Sequence, residues 1–370
     1  MLMSKFKKTL FCSALLVAGS MSCSAAADTG YYLFAQNRYF GHKLDTETYG
    51  HSLDESPVCA AKFYPSAAKH LFSYLKNTSR TINESIAYGD WDKPYRVIGG
   101  FEYDYKRNKA SKSAYGYKDR SGSLFILADR ALSGNYVRLG GGAVLTRYDS
   151  SYDGDMYQDD ENFYAVLYLI YNDAARQIRW RSRASAGFGS SGVRRRAGSQ
   201  NMEKSFKDDF HNYFYGWENA LSRTFQKGVY YVQPQAELNI LGLRRGKITE
   251  PEIAGRGIQI PENQQTLIES ILTLYAGVKG TDSFSGKYDF KVGPALTFIH
   301  SDPYDAFYGI GYYDDNAVYF KARRDERDYI TWKAVAKYTF SNGFGIYGDF
   351  RYYQKDKDSV AWLMGVNYRF

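Results

Sequence analysis

The chain has 370 residues and a formal net charge of +8, and it is rich in tyrosine (36), phenylalanine (23) and glycine (34). This composition, with a mean hydropathy of −0.50, is unusual for an α-helical core, and after residue 27 no apolar run approaches the ~20 residues that a membrane-spanning helix needs. A basic chain can bind nucleic acid, but the export signal described next favours a basic interior or a contact with anionic lipid, so no nucleic-acid partner is expected.

The N-terminus predicts a secretory signal peptide over residues 1–27. Three lysines precede an apolar stretch at 10–17, and three consecutive alanines then offer a cleavage site before Asp28. Cys23 raises lipid modification as an alternative, but the leucine expected three positions upstream is missing. Once the signal is removed, Cys59 is the remaining cysteine and cannot form an intramolecular disulfide.

The signal is followed by a short N-terminal segment at 28–65 and by a candidate helix and linker at 66–90. Pro65 suits the start of a helix. A helix of about 22 residues, at 1.5 Å per residue, spans ~33 Å, which is comparable with the ~30 Å hydrocarbon core of a bilayer. The helix over 66–87 mixes leucine and isoleucine with serine, threonine and asparagine. This polarity predicts a water-lined lumen rather than lipid, with a periplasmic amphipathic helix as the alternative.

From residue 91 to residue 370, strand-length segments carry apolar side chains at every second position. Strand side chains point alternately to opposite faces, and the even number of strands that we predict, twelve, is typical of a single-chain transmembrane barrel. The predicted strands are 94–106, 120–130, 136–148, 160–171, 178–189, 211–224, 229–243, 266–279, 287–299, 328–340, 345–355 and 359–370. The weakest are 160–171, where both faces are apolar, and 211–224, where Glu218 interrupts the expected apolar face.

The face opposite the apolar one is rich in charged and amide side chains. We predict that this face lines a polar lumen, because such charge is poorly tolerated on the lipid side of a strand. The candidate lumen-lining residues are Arg96, Glu102, Arg179, Arg181, Arg183, Gln233, Gln235, Glu237, Lys333 and Lys337.

The connections between the predicted strands are of two kinds. Short connections rich in turn residues, such as 226–228 and 341–343, predict tight hairpins that face the periplasm. Long charged connections predict loops outside the cell, at about 149–159, 190–210, 244–265 and 300–327. The second of them contains Arg194, Arg195 and Arg196, which we expect to be solvated, with contact to lipopolysaccharide phosphates as the alternative.

The last strand makes one face continuously apolar, while Asn367 and Arg369 fall on the other. Such a strand has lipid on one side, which predicts an outer-membrane location. It also resembles the C-terminal signal that the barrel assembly machinery of the outer membrane recognises. The candidate assembly residues are Trp362, Met364, Val366, Tyr368 and Phe370.

Four segments resemble the autotransporter β-domain family. They are SLFILADRALSGNYVRLGGGAVLTRY at 123–148, VYYVQPQAELNIL at 229–241, SILTLYAGVKG at 270–280 and GIYGDFRYYQKDKDSVAWLMGVNYRF at 345–370. The resemblance covers about 90–370. It implies an autotransporter-like barrel over 91–370 that anchors, and helps to export, an N-terminal passenger through an α-helix in its pore.

The chain also departs from that family. The segment 28–65 is too short for the stacked β-helix that passengers commonly form, which requires several repeats. Some members sever their helix at an Asn-Asn dipeptide, and none occurs here. We therefore expect no self-cleavage by that route.

Candidates for catalysis are few. The adjacent His300, Ser301 and Asp302 cannot form a triad among themselves, because a triad joins side chains from separated positions. His211 lies close in sequence to Asp208 and Asp209. Omptin proteases use His and Asp groups of the same type, but no omptin sequence context surrounds this histidine. The five histidines show no metal-ligand spacing. The sequence predicts no enzyme, no cofactor and no metal.

Two functions remain open on the sequence alone, because a fold does not determine a function. The first is a translocator or membrane anchor with the helix in its lumen. The second is a porin-like diffusion channel whose basic lumen favours anions. Expected partners are outer-membrane lipid, with lipopolysaccharide as a candidate, and the barrel assembly machinery, and we expect a monomer.

Overall fold

The computed structural model describes most of the chain beyond residue 94. The described residues are 32–34, 71, 74–76, 78–87, 94–108, 117–133, 136–152, 156–197, 204–249, 257–260, 262–301, 308–313, 316–321, 328–354 and 360–369. The predicted signal peptide and the two cysteines Cys23 and Cys59 lie outside them.

Twelve long antiparallel strands form a closed barrel. In chain order, β1 to β12 are Tyr95–Asn108, Tyr117–Ser133, Val137–Tyr152, Met156–Asp173, Ile178–Ala197, Lys204–Arg223, Tyr230–Arg245, Asn263–Thr281, Lys287–Ile299, Asp328–Thr339, Phe344–Tyr353 and Val360–Arg369. Each strand pairs with its neighbours in sequence, and a short strand, Phe225–Lys227, continues β6 along β7. Pairing of β12 with β1, with Met364 opposite Phe101, closes the ring. Closure leaves the wall without a free edge, and the predicted twelve-stranded barrel is confirmed.

Side chains alternate between the two faces of the wall. Large apolar side chains on the outer face are more than half exposed, among them Leu124, Ile126, Leu145, Leu167 and Phe188. Arginine, glutamate and lysine side chains are buried on the inner face. This is the reverse of a soluble protein and is expected where lipid surrounds the strands. Within the described part of the chain, no helix is long and apolar enough to cross a membrane.

Tight turns join the strands at one end of the barrel. Gly228 and Gly343 have φ angles of 61° and 88°, a conformation that glycine adopts without steric cost. In the turn after β8, the Asp282 carboxylate accepts hydrogen bonds from the Tyr338 hydroxyl at 2.6 Å and from the Gly286 N–H at 2.8 Å. Hydrogen bonds from these donors, chiefly from the Tyr338 hydroxyl, lower the pKa of the Asp282 carboxyl below its usual value. They stabilise the ionised carboxylate and therefore favour the folded turn at neutral pH.

At the other end, the strands extend beyond their predicted ends. β3 reaches Tyr152 and β4 begins at Met156, so the prediction of a loop at 149–159 was wrong. β5 continues to Ala197 and β6 begins at Lys204, so most of 190–210 is also paired strand. The prediction relied on apolar residues at alternate positions, and that signal ends where the wall leaves the lipid although the backbone pairing continues.

A second, smaller sheet occupies the same end as these extensions. Its strands, in spatial order, are Tyr32–Phe34, Asn316–Lys321, Tyr308–Tyr313, Gly257–Ile260 and Ile248–Thr249. The Thr249 N–H donates a hydrogen bond of 2.6 Å to Asp208 on β6, which links this sheet to the barrel. The sequence predicts only loops at about 244–265 and 300–327, so this sheet was not predicted.

Residues 71, 74–76 and 78–87 are helical, within the helix predicted over 66–87. The side chains from Thr78 to Ala87 are all buried. Their partners are inward-facing side chains of the barrel, so this helix, which we call the lumen helix, lies inside the wall. The other residues of the predicted helix, including its start after Pro65, lie outside the described residues.

Candidate functional site

The lumen helix has two chemically different sides. With 3.6 residues per turn, residues three, four, seven and eleven apart share one side. One side carries Leu71, Leu75, Ile82 and Ile86, and the opposite side carries Arg80, Asn83 and Glu84. The polarity of this segment is evident from the sequence, but its amphipathic pattern is not, because Thr78 and Ser79 interrupt the apolar stripe.

The apolar side of the helix faces an apolar part of the wall. Leu71, Ile82 and Ile86 belong to one buried cluster with inward side chains of β1 to β4, among them Ile98, Leu127, Val144, Tyr164, Val166 and Ile170. Tyr74 stacks on Tyr148 of β3, with ring centroids 5.4 Å apart. The buried cluster explains why the segment 160–171 is apolar on both faces. Its outer face meets lipid, while its inner face packs in the cluster that contains the helix.

Glu218 on β6 is the centre of the first polar contact. Its carboxylate accepts a hydrogen bond from Asn83 Nδ2 at 2.9 Å and another from the Ser79 hydroxyl, and it forms an ion pair with Arg183 of β5. Arg183 Nη1 also donates to the carbonyl oxygen of Ser79 at 2.8 Å. The expectation that Glu218 interrupts the outer apolar face was wrong. Trp217 occupies that face and Glu218 points inward, because the strand register differs by one residue from the predicted one.

Two further charged residues of the helix are matched by opposite charges on the wall. Arg80 Nη2 lies 2.8 Å from Glu269 Oε1 of β8, and both side chains are at most 4% exposed. Glu84 lies 3.6 Å from the Lys333 Nζ of β10 and 3.9 Å from the Lys291 Nζ of β9. A buried charge is tolerated better when an opposite charge is close to it, and in each of these pairs the helix supplies one charge and the wall supplies the other.

Arginines contact the last helical residues that the structure describes. Arg96 Nη2 of β1 donates to the carbonyl oxygen of Ile86 at 3.1 Å, and Arg179 Nη1 of β5 donates to that of Ala87 at 2.9 Å. The last carbonyl groups of a helix have no partner within it and carry partial negative charge, so cations are favourable there. Arg96 is itself held by Asp129, with Nε 2.9 Å from Oδ2.

Hydrogen bonds with β1 and β2 complete the contacts of the helix. The hydroxyl groups of Thr78 and Ser123 are 3.0 Å apart, and Thr81 Oγ1 donates to Glu102 at 2.5 Å. Among the described residues, side chains from at least eight of the twelve strands hydrogen-bond, ion-pair or stack with the helix.

All ten predicted lumen-lining residues have inward positions. Seven are buried, namely Arg96, Glu102, Arg181, Arg183, Gln235, Glu237 and Lys333, and three are half-buried, namely Arg179, Gln233 and Lys337. Five of the ten contact the lumen helix: Arg96, Glu102, Arg179, Arg183 and Lys333. The prediction omitted five other wall residues that contact the lumen helix, namely Ser123, Glu218, Glu269, Tyr275 and Lys291. For Glu269 and Lys291 the period-two pattern was present, but faces were assigned on only some of the predicted strands.

The other candidate residues are dispersed. Trp362, Met364, Val366 and Tyr368 lie exposed on the outer face of β12, while the Phe370 position lies outside the described residues. Ser301 accepts a hydrogen bond from the Ile268 N–H at 2.7 Å and donates to the Thr266 carbonyl at 2.9 Å, which is a structural role. In the described ranges, no group of three His, Cys, Asp or Glu side chains is placed to hold a metal ion.

The basic triplet of the sequence is divided between the two faces of the wall. Arg194 is exposed on the outer face and Arg195 is buried on the inner face. The side chain of Arg196 lies outside the described part of the chain. The expectation of one solvated loop cluster was wrong, because neighbouring residues of a strand point in opposite directions.

Comparison with known proteins agrees with this architecture. The family model of the autotransporter β-domain matches residues 97–351. The translocator domain of the autotransporter NalP from Neisseria meningitidis is similar in structure, with a TM-score of 0.63 and 12% sequence identity over 84% of this chain and 100% of that one. The β-domain of the Bordetella autotransporter Brka gives a TM-score of 0.52 and 13% identity over 75% of this chain and 99% of that one. At such identities the likeness concerns the fold alone. No curated protein sequence matches this chain.

Proposed function

The chain belongs to the autotransporter β-domain family, and we propose that its barrel anchors the N-terminal segment 28–65, with the lumen helix closing the pore. The family consists of outer-membrane translocators and anchors, and the chain is an outer-membrane barrel of this type. We assign it no catalytic step, since translocation and anchoring, the functions of this family, require none.

One observation carries the proposal: the charged side chains of the helix face opposite charges on the wall, and its apolar side chains face apolar ones. Arg80 and Glu84 meet opposite charges from β8, β9 and β10, and the apolar side meets apolar side chains from β1 to β4. Such a match on both sides supports a helix that is a built-in part of the folded barrel.

The direction of the helix supports an N-terminal segment that leaves the barrel at the end with the extended strands. Ile86 and Ala87 contact Arg96 and Arg179, which lie near the tight turns. Tyr74 stacks on Tyr148, which lies near the opposite end of β3. On this proposal the signal peptide 1–27 directs export, the tight turns face the periplasm and the extended strands face outward. The outer residues of β12 serve barrel assembly, and the protein is a monomer.

Single-channel conductance of the refolded protein, with and without residues 28–90, tests this function. The intact protein should pass little current, and the deletion should raise conductance severalfold without preventing assembly, because it empties the lumen. Heat-modifiable migration on gels verifies that the deleted form is folded.

A diffusion channel is the second candidate function, because the basic side chains around Glu84 would form an anion-favouring passage if the helix were absent. It predicts that the intact protein already conducts at the level of the deletion. It also predicts that Arg179→Ala together with Arg181→Ala abolishes anion preference. That result would overturn the anchor assignment.

A further inference from the structure

The outer wall of β2 to β6 carries apolar and charged side chains in separate rows. One row crosses the five strands in register and is apolar or aromatic: Leu124, Leu145, Phe163, Phe188 and Tyr213. Six residues further along each strand, away from the tight turns, a second row is polar or basic: Lys118, Ser151, Tyr157, Arg194 and Lys207. Apolar side chains are favourable in the hydrocarbon region and basic ones are not. The first row therefore lies in the hydrocarbon, and the second row lies beyond it.

Two grooves follow one another between these rows and share Arg147. The lower groove, of about 650 Å³, is lined by Leu124, Leu145, Phe163 and Phe188 among others. The upper groove, of about 550 Å³, is lined by five basic side chains, Lys118, Arg120, Arg147, Arg194 and Lys207, and by two acidic ones, Asp149 and Asp159. An apolar groove continued by a basic groove has the chemical profile of an anionic lipid, with its chains below and its head group above.

The positive charge of the upper groove is not cancelled by the wall. Arg147 lies 3.6 Å from Asp149 and 3.7 Å from Glu161, and Lys207 lies 3.4 Å from Asp209. Lys118, Arg120 and Arg194 are exposed and form no ion pair with any residue that the structure describes. These three side chains therefore remain free for phosphate oxygens, which arginine and lysine bind through charge-assisted hydrogen bonds.

The height of the groove indicates which class of lipid fits. At about 3.3 Å per residue, four to six residues of strand measure roughly 13 to 20 Å, and the tilt of barrel strands reduces this to roughly 10 to 15 Å above the apolar row. The head-group layer of an ordinary phospholipid bilayer adds only about 5 to 8 Å on each side of the hydrocarbon. Phosphates that reach Lys118 and Arg194 must therefore be carried on a larger head group.

We propose that the groove formed by Lys118, Arg120 and Arg194 binds a phosphorylated glycolipid, whose sugar-borne phosphates contact these side chains while its acyl chains cover Leu124, Leu145, Phe163 and Phe188. This site is on the outer wall and does not depend on the lumen helix. Its failure would leave the proposed function intact.

Binding of rough lipopolysaccharide, whose core sugars carry phosphate, tests this site with the full-length refolded protein. The variant Lys118→Gln/Arg120→Gln/Arg194→Gln should bind roughly tenfold more weakly, because each substitution removes a charge-assisted contact with phosphate. The control Arg130→Gln/Arg223→Gln/Lys227→Gln removes three exposed basic side chains at the tight-turn end and should bind as the unchanged protein does. Binding to the unchanged protein should also weaken with salt.

Three results with altered ligands or competitors would overturn the assignment. The first is equal binding of the same lipopolysaccharide after chemical removal of its phosphates. The second is equally tight binding of phosphatidylglycerol vesicles, which would indicate ordinary head-group contact. The third is displacement of the lipopolysaccharide by inorganic phosphate alone at millimolar concentration, which would indicate a free-anion site. Native binding by the triple variant would contradict it as well.

Discussion

Two regions of the lumen wall hold the helix by different physical means. One region is the apolar cluster of β1 to β4, with side chains such as Val144 and Val166, and the other is the set of charged side chains Glu269, Lys291 and Lys333 on β8 to β10. An apolar wall is stabilised when water is removed from it, whereas a charged wall requires counter-charges at defined positions. The helix supplies apolar side chains for the first region and counter-charges for the second. The ion pairs of the charged region therefore fix the register of the helix, whereas the apolar cluster adds buried contact area beside the individual hydrogen bonds with β1 and β2.

The largest expected effect is at the charged contact on β6. Glu218→Ala leaves Arg183, Ser79 and Asn83 without their shared acceptor, and loss of one partner of a buried ion pair costs about 3–5 kcal/mol. We expect a lower urea midpoint of unfolding in lipid vesicles. The matched control is Glu161→Ala on the outer wall, whose side chain is 72% exposed beside Arg147 and whose loss should cost under about 1 kcal/mol. An equal loss of unfolding free energy in Glu218→Ala and Glu161→Ala would contradict the inward placement of Glu218.

The contact between the helix and the apolar cluster is tested by Ile82→Ala. Ile82 is fully buried, and truncation of a buried isoleucine costs about 2–5 kcal/mol. Because this side chain belongs to the helix, the loss should appear as more frequent brief openings in single-channel records, with little change in the unfolding of the barrel itself. The control Leu167→Ala changes a lipid-facing side chain that is 68% exposed and should leave the opening frequency unchanged. An unchanged opening frequency in the Ile82→Ala variant would indicate that the apolar contact does not hold the helix.

The barrel wall and the second sheet differ in how far the sequence predicts them. The wall follows a local rule, because side chains alternate along every strand, and all twelve strands were predicted from that pattern. The second sheet was not predicted, since strands as short as Ile248–Thr249 depend on partners far away in the sequence. Glu218 was assigned to the wrong face, because its aromatic neighbours gave no unambiguous period, and a shift of one residue reverses every side chain.

A smaller effect is expected where the helix meets β2. Thr78→Val removes a hydroxyl that lies 3.0 Å from Ser123 Oγ, and a buried hydrogen bond of this kind contributes about 1 kcal/mol. Opening frequency should rise modestly. Ser123→Ala should have a similar effect, and the double variant should cost less than the sum of the two, since both substitutions remove one shared interaction. Strict additivity would show that the two side chains do not meet.

Disulfide formation between the helix and the wall tests the central claim, that residues 78–87 lie inside the folded barrel, most directly. With the three native cysteines replaced by serine, Thr78→Cys/Ser123→Cys should form an intramolecular disulfide on mild oxidation, because it places the two sulfur atoms where hydroxyl oxygens now lie 3.0 Å apart. Proteolysis and mass spectrometry would identify the linked peptide. The control Thr78→Cys/Gly122→Cys moves the second cysteine to the outer face and should remain reduced. No linkage in the first variant, or equal linkage in both, would contradict the account.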